Sequence, residues 1–552
     1  MDQILIIILI TVTLFTCYST IFNPQVLSID NDEVYLVVED NMIIGEKAVI
    51  LEGKHIYLSF DGIKKHIDSN IFYDEKEEII VFSFENEVIR QKLDNSYYIL
   101  NSEEEIAAKA IKNINNNIYI PIETIENIYN MDYSFAKETN AVILTSSDTE
   151  TLDGEIILNN GHLRTAPSRQ SSVYAKNLEM GTCFKVYEKI DKWYKIRTES
   201  GMVGFIEEKY VKIKYLKGKN NVKETKDSKK NWGNQRINLV WDHLTSRTAI
   251  GSNPKAIEGL NIICPTWFSI VDNNGTIKDI GDKEYVNKYK DVGYSIWGLV
   301  NNSFEPELTH EILSKSSIRE KIILDLVNKC EYYNLDGINL DFENINIEDK
   351  DLYVQFIREL YPVFNEKGLI VSVDVTPISI SENWSKSFDR SAIAEIVDYV
   401  VLMAYDQHWS TSPKAGSVAQ CTWVEKKLVE VLDYVPNDKL ILGVPFYTRL
   451  WKEEKINGKE EISSEALSME EKDEFIKNNN IVLKWDGVSG QYYGEMKEGE
   501  NITYKIWVED KKSIELKVSL VNKYNLAGVA SWRKGFEKEE VWEVIKEKLM
   551  LN

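Results

Sequence analysis

Beyond residue 235, apolar runs alternate with stretches whose apolar residues recur at helical spacing. Eight runs can be read: INLVWD (237–242), LNIICPTWF (260–268), VGYSIWGLV (292–300), DGINLDFE (336–343), LIVSVDVTP (369–377), DYVVLMAYD (398–406), KLILGVPFYT (439–448) and LAGVASW (526–532). Between them, Ile318, Ile322, Leu326 and Cys330 follow one helix face. Leu352, Phe356, Leu360 and Phe364 do the same before a stop at Gly368. Leu428, Leu432 and Val435 mark another face, and Val541, Ile545 and Leu549 close the chain. Ser317 to Glu320 has the form of a capping box. Eight strands alternating with helices predict a closed (β/α)8 TIM barrel over residues 236–552. The interval between the seventh and eighth runs is too long for one helix and predicts a small α+β insertion at about 450–512.

Upstream the pattern changes. Residues 30–150 carry short runs (EVYLVVED, HIYLSF, EIIVFSF, NIYIPIETI) broken by Asn, Asp and Gly, which predict a β-rich module. Residues 156–214 hold CFKVYEK, WYKIRT and MVGFIEEKYV, the strands of a second, smaller all-β unit. Residues 215–235 are polar and rich in Lys and Asn, as a linker is. Ile4 to Phe22 holds no charge, so residues 1–23 are read as a signal peptide or a membrane anchor, the length favouring the anchor.

Composition narrows the classes. A chain of 552 residues is too long for one ordinary core. With 43% hydrophobic and 11% aromatic residues it is not mainly disordered. A formal charge of −23 excludes nucleic acid as a natural partner, and makes any contact with an anionic wall polymer depend on aromatic stacking and hydrogen bonds. The five cysteines (Cys17, Cys183, Cys264, Cys330, Cys421) are scattered and never at C-x-x-C spacing. They are expected to be small buried hydrophobes rather than zinc ligands or a disulfide framework.

Candidate chemistry sits where the strands end. In a barrel of this kind the active site lies at the C-terminal ends of the strands. There the chain carries Asp341 and Glu343 on run four, Asp374 on run five, Tyr405 and Asp406 on run six, and Trp532 on run eight. Carboxylates, a phenol and an indole together suit a sugar ring. Strand alternation puts Asn339, Asp341 and Glu343 on one face and Ile338, Leu340 and Phe342 on the other. Two carboxyl groups at that spacing push one pKa up, which keeps a general acid protonated near neutral pH. Asp336 has the wrong parity for the trio. Trp297, Asn301, Gln407 and Trp451 lie at strand ends or just after them, and Trp507 and Glu509 belong to the insertion as lid or core.

DGINLDFEN resembles the D-x-x-D-x-D-x-E signature of family 18 glycoside hydrolases, MAYD its strand-six motif, and Trp532 in GVASWR its strand-eight tryptophan. GINLDFENI, VLMAYDQHW, GVPFYTRLW and IWVEDKKS are similar to the branch of spore-cortex-lytic and germination N-acetylglucosaminidases. The departure is Asn339, where the wider family often has Asp. The resemblance implies substrate-assisted, retaining hydrolysis of N-acetylglucosamine-containing peptidoglycan of wall or cortex. It implies Glu343 as acid, Asp341 as its helper with Asp336 supporting from below, and Tyr405 on the acetamido group. It also implies Trp532 as sugar floor, with Asp406, Asn339, Asp374 and Trp297 as further substrate contacts. No metal or cofactor is implied. A chitinase and a glycan-binding protein without hydrolysis are the other readings, and endo and exo cleavage both stay open. LRTAPS, Gly181, the strand from Trp193 to Ile196 and GFIEEKYV resemble the bacterial SH3 family, which implies wall attachment. Residues 30–150 are similar to the copper amine oxidase N-terminal-like domain, with no copper site implied. A monomer on the extracellular face, tethered or secreted, is expected.

Overall fold

The computed structural model describes residues 25–27, 33–84, 86–101, 103–149, 151–214, 236–247, 254–456 and 459–549. The expected anchor, Cys17 and the linker at 215–235 lie outside the described residues. Among the described residues no helix is long and apolar enough to cross a membrane. The chain divides into two compact units.

The C-terminal unit is a closed parallel barrel. Its strands are β1 (Ile237–Asp242), β2 (Ile262–Ile270), β3 (Ser295–Asn301), β4 (Gly337–Asp341), β5 (Ile370–Val375), β6 (Tyr399–Met403), β7 (Leu440–Pro445) and β8 (Gly528–Trp532). Each pairs with its neighbour in parallel, and β1 also pairs with β8, which closes the ring. Helices α1 (Lys283–Asp291), α2 (Ser316–Tyr333), α3 (Lys350–Glu366), α4 (Arg390–Ile396), α5 (Cys421–Leu432), α6 (Lys511–Lys523) and α7 (Glu539–Leu549) follow strands β2 to β8. Buried on both faces, the strands read as near-continuous apolar runs.

The barrel interior is filled, as barrels of eight strands generally are. Ile237, Leu239, Trp241, Ile262, Cys264, Trp297, Leu299, Ile370, Val401, Ile441 and Ala530 form one cluster. Trp297 stacks on Tyr399 with ring centroids 6.0 Å apart. A Cβ on Gly337 would come within 2.6 Å of the Ile370 carbonyl and 3.1 Å of Trp297, so only glycine leaves the indole its place. On β4 the alternation is as expected from the sequence. Phe342, just past the strand, stacks on Tyr353 and Phe356 of α3 while Asn339 points inward. The capping box expected at Ser317 does not form. Helix α2 begins at Ser316 with Lys315 at the N-cap, so Ser317 is already inside the first turn.

Between β7 and α6 lies an antiparallel five-stranded sheet in the order Lys459–Leu467, Thr448–Ile456, Ile502–Val508, Gln491–Glu498 and Lys484–Asp486, with a helix over Met469–Asn478.

The N-terminal region is strand-rich. One four-stranded sheet runs Met131–Ala136, Ala141–Ser146, Tyr35–Val38, Asn41–Ile43, and another Lys112–Ile114, Asn117–Pro121, His55–Ser59, Val49–Glu52. A seven-stranded sheet over Leu152–Ile156 to Val211–Lys214 encloses a core of Ile156, Leu163, Phe184, Val186, Ile196, Ile206 and Val211. The first and last of these sheets share buried residues. Val203 packs with Tyr35, Val37, Ala141 and Ile143. Arg197, almost fully buried, donates to the carbonyls of Glu39 (2.7 Å) and Leu144 (3.4 Å) and to Thr145 Oγ1 (2.6 Å). Cys264 and Cys330 are buried as expected, but Cys183 is exposed at the start of its strand.

Candidate active site

Strand β4 delivers Asp341 as its last residue, and Glu343 follows two positions on. The acid's backbone is pinned from the neighbouring strand. Asn302, fully buried just after β3, accepts from the Glu343 N–H (3.1 Å) and donates to the Glu343 carbonyl (2.7 Å) and to Thr309 (2.8 Å). Asn344 then turns the chain away with φ of 52°, a conformation asparagine tolerates better than most residues. Sequence reasoning missed Asn302. Its only signal is a second asparagine after Asn301, and the pairing across strands is not written in the sequence. Asn301 itself accepts from the Ser303 N–H and shapes that same turn.

Beneath the acid pair sits a buried polar network. Asn339 Oδ1 accepts from Trp241 Nε1 (3.0 Å) and faces Cys264 Sγ (3.6 Å). Its Nδ2 donates to Ser372 Oγ (3.0 Å) and to Asp374 Oδ1 (2.7 Å). The indole can only donate, which fixes the amide orientation. Asn339 is 0% and Asp374 1% exposed. Neither reaches the surface of the mouth, so the expectation that they touch substrate is corrected: they stand behind Asp341. The parallel register pairs Leu340 with Val373, which sets Asp341 beside Asp374 on the adjacent strand.

Burial sets the protonation of this group. It pushes Asp341 up to about 7. Burial, with the charges of Asp341 and Asp406, carries Glu343 well above the usual carboxylate range. Burial and Asp341 raise Asp374, while the Asn339 hydrogen bond opposes the rise. Asp341 Oδ1 is buried without a hydrogen-bond partner among the described residues.

Around the mouth, Trp241 is the hub. Tyr405 meets it edge-on at 6.5 Å, and Trp532 lies tilted at 5.9 Å, with His243 5.8 Å from Trp532 on its other side. Burial drives the Tyr405 phenol well up, with a smaller contribution from Asp374 and Asp341, so it stays a neutral donor. Asp406, with φ of 55°, accepts from Tyr447 (2.6 Å) and lies 3.4 Å from Arg449. Tyr447 and Arg449 were also missed, being ordinary residues of the seventh run and its continuation.

Two expectations fail on geometry. Asp336 precedes β4 at the opposite end of the barrel, accepts from the Ile296 N–H (2.9 Å) and pairs with Lys290 (3.1 Å). It does not join the acid pair. Trp297 is fully buried in the barrel floor and cannot touch a ligand at the mouth. Trp451 is likewise buried, its indole donating to the Gly416 carbonyl. Gln407 accepts from the Gln420 N–H. Glu509 is no lid residue: it is buried against Lys517 at 2.8 Å, with Ser513 and Gln491 donating to it.

A closed parallel barrel with two carboxyl groups two positions apart at the end of strand four, walled by a phenol and an indole, defines the class of barrel glycoside hydrolases. Comparison with known families agrees. The chain belongs to the glycosyl hydrolases family 18, whose profile matches residues 231–536. The copper amine oxidase N-terminal domain matches residues 37–144. The chain is similar to the uncharacterized glycosylase YvbX of Bacillus subtilis (strain 168), 26% identical over 300 residues, covering 52% of this chain and 84% of that one. It is also similar to the cortical fragment-lytic enzyme of the same organism, 26% identical over 255 residues, covering 46% of this chain but only 58% of the relative. Among solved structures, the spore cortex-lytic enzyme SleL of Bacillus megaterium QM B1551 shares the fold, with a TM-score of 0.51 and 22% identity, over 57% of this chain and 74% of that one.

Proposed function

We propose that the protein hydrolyses N-acetylglucosamine-containing peptidoglycan, of wall or spore cortex, by substrate-assisted retaining catalysis. The observation that carries this reading is the acid pair at the mouth: Asp341 ends β4 and Glu343 follows two positions on, its backbone pinned by Asn302, in a barrel end walled by Tyr405 and Trp532, where burial favours the protonated form of Glu343. Glu343 protonates the glycosidic oxygen as the C1–O bond breaks. The substrate's own acetamido oxygen attacks C1, and Asp341 orients that group and stabilises the oxazolinium. Tyr405 donates to the acetamido carbonyl, and Trp532 underlies the ring. Water then opens the oxazolinium, giving its proton to Glu343 and restoring the acid. Peptidoglycan is favoured over chitin by the cortical fragment-lytic relatives and by the upstream units.

The seven-stranded sheet between Leu152 and Lys214 is read as an SH3-like module that holds the enzyme on the wall, with Ile4 to Phe22 exporting or tethering it. Glu343→Gln is expected to lower reducing-end release from peptidoglycan fragments by on the order of 10³-fold with the fold intact. Undiminished release defeats the assignment of the acid. Mass spectrometry of the products separates this reading from its rivals: bound fragments without new ends favour a lectin, and faster turnover of chitin oligomers favours a chitinase.

A further inference from the structure

At the rim where β8 meets β1, the chain gathers side chains that the proposed reaction does not use. β1 ends at Asp242 and β8 at Trp532, so His243 and Arg533 are the next residues out on paired strands. The Lys534 N–H donates to the Trp241 carbonyl (2.9 Å), which holds the two segments together. His243 lies against the Trp532 indole, with ring centroids 5.8 Å apart. Burial, and then the charge of Arg533, hold the His243 imidazole below its usual range, as a guanidinium on the same corner does. Asp242, the anion of this corner, is already engaged: Tyr285 donates to it (2.6 Å) and Lys534 pairs with it (2.9 Å). Arg533 is left over. It is half-buried, its guanidinium carbon lies 4.2 Å from the centre of the Phe536 ring, and among the described residues no carboxylate pairs with it. A guanidinium laid over a ring keeps its N–H edge free, and that edge matches the two oxygens of a carboxylate.

We propose that Arg533, beside His243, is a specificity residue that binds a carboxylate on the muramyl sugar next to the N-acetylglucosamine over Trp532. The inference rests on the hydrolytic reading above and names the substrate feature that this corner selects. In peptidoglycan each N-acetylglucosamine is flanked by N-acetylmuramic acid, whose lactyl group ends in a carboxyl. That carboxylate is free where the stem peptide has been removed; where the peptide remains, the stem carries the anion. Chitin carries neither. A chain with a formal charge of −23 repels such a polymer at long range, so a cation placed at the site turns the polymer's charge into a means of selection. Arg533 directly follows Trp532, so a sugar resting on the indole brings the side group of its neighbour within the arginine's reach.

The test compares glycan strands freed of peptide with the same strands after their carboxylates are converted to methylamides, a change that removes the charge and leaves the sugars. Peptide-bearing strands, native and methylamide-capped, form a second pair. For the full chain, kcat/KM is expected to be higher on the charged member of a pair by on the order of tenfold. Preference within the stripped pair assigns the lactyl carboxylate, and preference confined to the peptide-bearing pair assigns the stem. Arg533→Gln is expected to bring the ratio to within about twofold of unity, and Arg533→Lys, which keeps the charge and loses the fork, to retain part of it. Added salt should shrink the wild-type ratio and leave that of Arg533→Gln where it is. A merely structural arginine would slow both members of a pair alike. A wild-type enzyme indifferent to capping in both pairs overturns the proposal, and so does an Arg533→Gln enzyme that keeps the preference. Dissociation constants of the same strands for Glu343→Gln keep the two readings apart. Charge preference in binding, with no turnover by the wild type, discards hydrolysis alone, whereas turnover without charge preference discards the carboxylate site alone.

Discussion

Asp341 keeps its carboxyl in a place where burial opposes its charge, and this has a thermodynamic signature. Its folded pKa is raised to about 7 from the ordinary value of 3.8. Between those two pH values the folded state binds more protons than the unfolded state, so stability is full below the lower one and falls as pH rises through the upper. Asp341→Asn removes the penalty. At pH 7.5 its melting temperature is expected to exceed wild type by about 2–4 °C, and at pH 4 by less than about 1 °C, measured by calorimetry. Equal shifts at both pH values contradict the assignment. The positions of Asp341 and Glu343 were legible because alternation along a strand is local. The end of the barrel on which Asp336 falls was not legible from spacing alone. Its partners Lys290 and Ile296 belong to other segments, and only their pairing reveals that it caps the far end. Asn302 escaped for the same reason.

At the scale of elements, the eight strands were legible because burial on both faces writes itself as unbroken apolar runs. Helix faces were less so. Ile318 and Leu352 fit the period yet are not core residues, while Arg319, inside the stretch read as a capping box, is completely buried. Its guanidinium donates to the Leu313 carbonyl (2.7 Å) and pairs with Glu359 of α3 at 2.9 Å, tying α2 to α3. Gln355 also donates to Glu359. Removing one partner of such a pair strands a charge away from water. Glu359→Ala is therefore expected to destabilise the barrel by ~3–5 kcal/mol in denaturant unfolding, against about zero for an exposed glutamate such as Glu543. Such pairs come from chain segments 40 residues apart, and no local period announces them.

On the scale of the molecule, two N-terminal sheets predicted as separate modules share an interior. Arg197 reaches from the seven-stranded sheet to Glu39, Leu144 and Thr145 in the other, and Val203 completes that sheet's core. Arg197→Ala is expected to lower the stability of the N-terminal unit by about 2 kcal/mol, through oxygens left unpaired, with turnover of peptidoglycan fragments unchanged. A loss below about 0.5 kcal/mol in the corresponding unfolding transition would show the shared interior to be incidental. In the C-terminal unit the packed indole of Trp297 and ring of Tyr399 make the barrel a stoppered cup rather than a tube. A cup closed at one end by packed rings keeps its acids at the other, where the strands end.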